Sequence, residues 1–185
     1  MKLVQHLKKH NIPIAVATGS QRRNYEQKSA HLMDTLFGCF EGRVVCADDG
    51  FIAKGRGKPC PDVFLVTASK CLGRDVGDKE DDDLEVTDQQ RAERKKGLVF
   101  EDAIPGLQAG KRAGMNGACH NDWLYSAAAK LSAVVWVPDP NLIAIGTQGQ
   151  DNAAVPTTTI EQPDQTLKSL EEFKPEEWGL PPYGS

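Results

Sequence analysis

GLVFEDAIPGLQAGKRAGM, residues 97–115, is the stretch from which the rest of the chain can be read. Gly97 to Phe100 is a short apolar run without polar alternation, the pattern of a parallel strand covered on both faces. It ends in two adjacent carboxylates, Glu101 and Asp102. Pro105 follows where a helix accepts proline, in its first turn. The helix carries small residues on its face and stops at Gly114. A strand, a polar strand end and a helix in this order form one βα unit of an α/β sheet.

Working outward, the same grammar recurs. Residues 1 to 10 read as a helix with Leu3, Val4 and Leu7 on one side. Ile12 to Ala17 is a second buried parallel strand, ending in Thr18-Gly19-Ser20. A helix from about 22 to 37 is expected from Leu32, Met33, Leu36 and Phe37, with Gly38 as its stop. Arg43 to Ala47 is a further strand, turned by Asp48-Asp49-Gly50. A helix then runs from Pro61 to about Leu72, and Val134 to Val137 is the fourth strand. Residues 74–96 are dense in acidic and basic side chains with little to bury, and are expected to form a disordered acidic loop. The chain from 146 to 185 is expected to be an irregular tail with a weak helical stretch near Thr166 to Phe173. Strands separated by helices imply a parallel sheet with helices on its faces.

Composition narrows the functional classes. The 185 residues have 39% hydrophobic and 26% charged side chains and a net charge of −4. That balance gives no broad basic surface for nucleic acid, and no apolar run is long enough to cross a bilayer. Five cysteines, odd in number and without a CxxC pair, point to free thiols in a reducing cytoplasm. His6, His10 and His31 read as helix-surface residues.

Three polar strand ends could carry chemistry, because ligands in such sheets bind beyond the carboxyl ends of the strands. Thr18 and Gly19 offer a hydroxyl and a closely approachable backbone, suited to an anion; a plain cap by Ser20 is the simpler alternative. Lys58 sits in GKPCPDVF, residues 57–64, where two prolines stiffen the backbone beside a helix start, which suits phosphate neutralisation. A surface lysine in a rigid loop is the alternative. Glu101 and Asp102 suit a hard cation such as magnesium, or simply a favourable helix start.

Taken in order, these segments resemble the haloacid dehalogenase-like (HAD) phosphohydrolase superfamily, and within it the glycerol-3-phosphatase and pseudouridine-5'-phosphatase-like group. VATGS (16–20), GKPCPDVF and GLVFEDAIPGLQAGKRAGM resemble its second, third and fourth motifs. The resemblance implies a three-layer Rossmann-like core and a magnesium-dependent phosphate monoester hydrolase acting on a small phosphorylated metabolite. Thr18 and Lys58 would be catalytic, Thr18, Gly19 and Lys58 phosphate-binding, and Asp102 with Glu101 metal-binding.

The chain also departs from that pattern. The family's nucleophile lies on an Asp-x-Asp-Gly-Thr motif upstream of VATGS, yet no Asp precedes Thr18. Asp81-Asp82-Asp83 has no strand leading into it, and in Ala47-Asp48-Asp49-Gly50 the attacking position is an alanine. The expectation is therefore a partial core domain over 1–145 whose central first strand is missing, with a phosphohydrolase site that is inactive and holds magnesium weakly or not at all. Residues 117–133 form an atypical insert. Two other readings stand beside this one: a non-catalytic phosphate-binding or regulatory remnant, and a mispredicted gene product that does not fold alone.

Overall fold

A computed structural model describes residues 1–80, 83–115, 133–137 and 162–185. In chain order the elements are α1 (Lys2–Lys9), β1 (Val16–Ala17), α2 (Arg22–Ser29), β2 (Val44–Val45), α3 (Asp62–Leu72), α4 (Asp88–Arg94), β3 (Leu98–Glu101), α5 (Ile104–Arg112), β4 (Ala133–Trp136) and β5 (Gln165–Thr166). Among the described residues all strand pairs are parallel. β1 pairs β2 with Val16 opposite Val44. β3 pairs β4 with Val99 opposite Val134, and β4 pairs β5 with Val135 opposite Gln165. The sheet is thus split into β1-β2 and β3-β4-β5. This is an α/β, Rossmann-like arrangement with an incomplete set of strands.

Strand alternation sorts the side chains into two cores. On one face Val45, Val99 and Val134 pack with Val63, Phe64, Leu65 and Ala68 of α3 and with Leu107 and Ala109 of α5. Both sheets contribute to this core, so the split is bridged by helices. Gly110 lets α5 lie close to the strands: a Cβ there would stand 2.8 Å from Val134 Cγ2. α3 ends at Gly73, left-handed at φ 66°, whose N–H reaches the Ser69 carbonyl at 3.1 Å. On the other face Leu3 and Leu7 of α1 meet Val135, Leu167, Phe173 and Trp178. Helix, sheet and helix form three layers.

Four expectations need correction. The loop over 74–96 contains α4, capped by Thr87, whose hydroxyl accepts from Gln90 N–H while the Gln90 side chain accepts from Thr87 N–H. Val76 and Val86 are buried there, as is Arg94, which donates to the carbonyls of Val76 and Lys79. Charge density hid a few anchoring residues. Second, the expected tail over 146–185 is, from 162 onward, part of the fold: β5 extends the sheet and Phe173 and Trp178 are core. Third, the helix expected over 22–37 ends at Ser29 and continues as a 3₁₀ turn, Ala30–Leu32, with Met33 exposed. Fourth, His6 is buried, its Nε2 2.7 Å from the Pro181 carbonyl, because the C-terminal segment covers α1. Residues 117–132 of the expected insert lie outside the described residues.

Candidate active site

The site forms where β3 ends. Glu101 is the last residue of β3 and points to the same face as Val99, toward α5. Its side chain is 7% exposed, and Oε1 accepts from Lys58 Nζ. Lys58, 18% exposed, comes from the loop before α3 and lies 5.0 Å above the Phe64 ring. The ammonium is therefore held between a carboxylate and the negative face of an aromatic ring. Burial pushes the Glu101 carboxyl above its ordinary value, against the charge of Lys58 and its hydrogen bond, which favour ionisation.

Asp102 follows on the exposed side, and its backbone carbonyl accepts from the Trp136 indole N–H at 3.2 Å. Thr18 stands at the end of β1, with its N–H bonded to Val45 O at 3.0 Å and its hydroxyl accepting from Ser20 N–H at 3.1 Å. Gly19 has open space where a side chain would lie. The structure thus joins Lys58 to Glu101 directly, with Asp102 adjacent. The Thr18 hydroxyl serves its own turn. Phe64, Trp136 and Gly106 border this site but went unsingled in the sequence. Gly106 carries the most legible signal, because it is a glycine inside a helical turn immediately after the acidic pair.

A second acidic pair lies beyond β2. Asp48 accepts from Arg22 N–H at 2.7 Å. Asp49 takes the Arg22 guanidinium on both oxygens, and Oδ2 also accepts from Cys46 N–H at 2.7 Å. These carboxylates fasten the start of α2 to the loop after β2.

Magnesium requires an octahedral set of oxygens, usually one or two carboxylates together with waters and phosphate. Glu101 is committed to Lys58, which leaves Asp102 as the available carboxylate. Among the described residues no group of three His, Cys, Asp or Glu side chains could hold a metal. Asp102 is one carboxylate of the kind magnesium uses, and the remaining oxygens would have to come from water and phosphate.

The core is thus a split parallel α/β sheet with a lysine–glutamate pair at the end of β3. Residues 1–114 match the haloacid dehalogenase-like hydrolase family, and the chain belongs to that family. It is 36% identical over 182 residues to (DL)-glycerol-3-phosphatase 2 of Arabidopsis thaliana, covering 98% of this chain and 55% of that protein. It is 32% identical over 180 residues to a probable pseudouridine-5'-phosphatase of Saccharomyces cerevisiae, covering 97% and 60%. The fold matches a HAD hydrolase of family IA, variant 3, from Entamoeba histolytica, with TM-score 0.54 and 22% identity, over 95% of this chain and 56% of that one. The chain spans a little over half the length of these two curated relatives. Among the described residues no helix is long and apolar enough to cross a membrane.

Proposed function

We propose that residues 1–185 carry the phosphate-holding half of a phosphomonoester hydrolase site, and that this polypeptide by itself binds phosphate without turning over esters. The observation that supports this reading is the Lys58–Glu101 pair at the end of β3 in a chain of this family. Lys58 supplies the cation that attracts a phosphoryl oxygen, and Glu101 and the Phe64 ring hold that cation in place. Thr18 and the open backbone at Gly19 add a hydroxyl and N–H groups at a second strand end. The substrate class is a small phosphorylated metabolite.

Turnover would need a carboxylate to attack phosphorus. Asp49 is the nearest sequence match to such a motif, but Arg22 and the Cys46 N–H occupy both of its oxygens. Asp102 is better suited to balancing charge than to attack, since it follows the acid already committed to Lys58. What remains is positioning and electrostatics.

The test is hydrolysis of p-nitrophenyl phosphate with magnesium by purified 1–185, with Lys58→Ala as control. The expected result is no enzyme-dependent turnover, together with binding of inorganic phosphate that weakens in Lys58→Ala. Turnover of about 1 s⁻¹, the low end for working enzymes, that vanishes in Lys58→Ala would overturn the inactive reading and return Asp49 to consideration.

A further inference from the structure

Gly106 lies in the first turn of α5. Its φ is outside the left-handed region, so the backbone there accepts any L-residue. Alanine would be the better helix former at this position. Something other than backbone geometry therefore calls for glycine. At Gly110, one turn further on, the answer is packing: a Cβ would meet Val134 and Val99 of the sheet. At Gly106 the three nearest atoms to a Cβ all belong to the Glu101 carboxyl group, and the Cβ would overlap them. The carboxylate occupies the space that a side chain at 106 would fill. That carboxylate is 7% exposed and bonded to Lys58.

We infer that Gly106 is a positioning residue of this site: its missing side chain is the seat of the Glu101 carboxylate, and through that carboxylate it fixes the Lys58 ammonium. The inference rests on the reading of Lys58 as the phosphate-binding cation. A methyl group at 106 evicts the far end of Glu101, a flexible side chain, and not a backbone segment. The fold therefore survives while Lys58 loses its partner. Shortening Glu101 by one methylene withdraws the carboxylate and makes room for the methyl group, so Gly106→Ala and Glu101→Asp should compensate one another.

The experiment uses the 185-residue chain with its lysines reductively ¹³C-methylated, and follows the Lys58 resonance, assigned by its absence in Lys58→Ala. Gly106→Ala should keep the native circular dichroism spectrum and move the Lys58 resonance to where Glu101→Gln puts it. Gly106→Ala/Glu101→Asp should bring it back at least halfway to the wild-type position. An unmoved resonance in Gly106→Ala, or no return in the double variant, overturns the inference. If Gly106→Ala does not fold, the Glu101→Ala background decides. There, adding Gly106→Ala should leave a folded protein melting at or above the Glu101→Ala parent, and an unfolded one overturns the inference. Titration of the same samples with inorganic phosphate separates the two readings. A wild-type Lys58 resonance indifferent to phosphate defeats the phosphate-holding function and leaves the Gly106 result standing on its own.

Discussion

Two acidic residues sit at or just beyond strand ends, each paired with a cation, yet their surroundings shift them in opposite directions. Asp49 accepts from both guanidinium nitrogens it faces and from a backbone N–H. Burial pushes its carboxyl up, but the hydrogen bonds from Arg22 and Cys46 and the Arg22 charge outweigh this and leave it below its ordinary value. Glu101 is more deeply enclosed and faces a lysine, and burial wins, so its carboxyl ends above its ordinary value. Arginine's planar fork satisfies a carboxylate; lysine supplies a point charge that can be shared with another anion. The Arg22–Asp49 pair is closed and fastens two loops. In the Lys58–Glu101 pair one carboxylate oxygen accepts from an ammonium that carries three donors, so the same lysine can also face a phosphoryl oxygen.

The contrast can be broken most severely at the closed pair. Asp49→Ala strands a guanidinium that also donates to the Val44 carbonyl at 3.2 Å, and leaves the Cys46 N–H without its acceptor. The expected loss is about 2 kcal/mol, the order found when hydrogen bonds to a charged group are removed with one partner left behind. Urea unfolding measures it, and a loss below about 0.5 kcal/mol would show that the pair fastens nothing.

A smaller effect is expected at the open pair. Lys58→Ala removes the charge that opposes burial, so the Glu101 carboxyl should rise further and take a proton in place of the lysine. That escape limits the expected loss of stability to about 1 kcal/mol. A ¹³C-detected titration of Glu101 checks the direction, and a fall would refute this account of the pair.

The smallest expected effect is one of slope, and it has opposite sign at the two sites. Asp49, lowered from an ordinary 3.8, contributes stability that is present above that value and is lost as pH falls through the folded value. Glu101, raised from 4.5, contributes stability that is present below 4.5 and is lost as pH rises through its higher folded value. Asp49→Asn should therefore flatten the acid limb of a stability–pH curve below 3.8. Glu101→Gln should flatten the decline that begins above 4.5. Denaturant midpoints across this range measure both, and like-signed changes would defeat the comparison.

Much of this was legible in the sequence, for identifiable reasons. β1 to β4 and α3 came from apolar runs and prolines, signals that reside in the elements themselves. β5 was not legible, because Gln165 and Thr166 are strand only by virtue of pairing with β4. α4 was obscured by its charge, although Thr87 and Gln90 stood at capping-box spacing. Lys58 and Glu101 could be singled out one by one. Their contact, across 43 positions of sequence, and the clearance left by Gly106 belong to the packing of α5 on β3 and have no local signature.

The burial of α1 sets a timetable for the chain. Leu3 and Leu7 leave the ribosome well before Leu167, Phe173 and Trp178, which cover them. The bridge from His6 to Pro181 spans 175 positions. At roughly 5 to 20 residues per second of synthesis, the apolar side of α1 waits about 9 to 35 seconds for that cover. For that interval the nascent chain is a client for chaperones. A stop codon before Trp178 would act far upstream of itself, by leaving α1 without the residues that close over it.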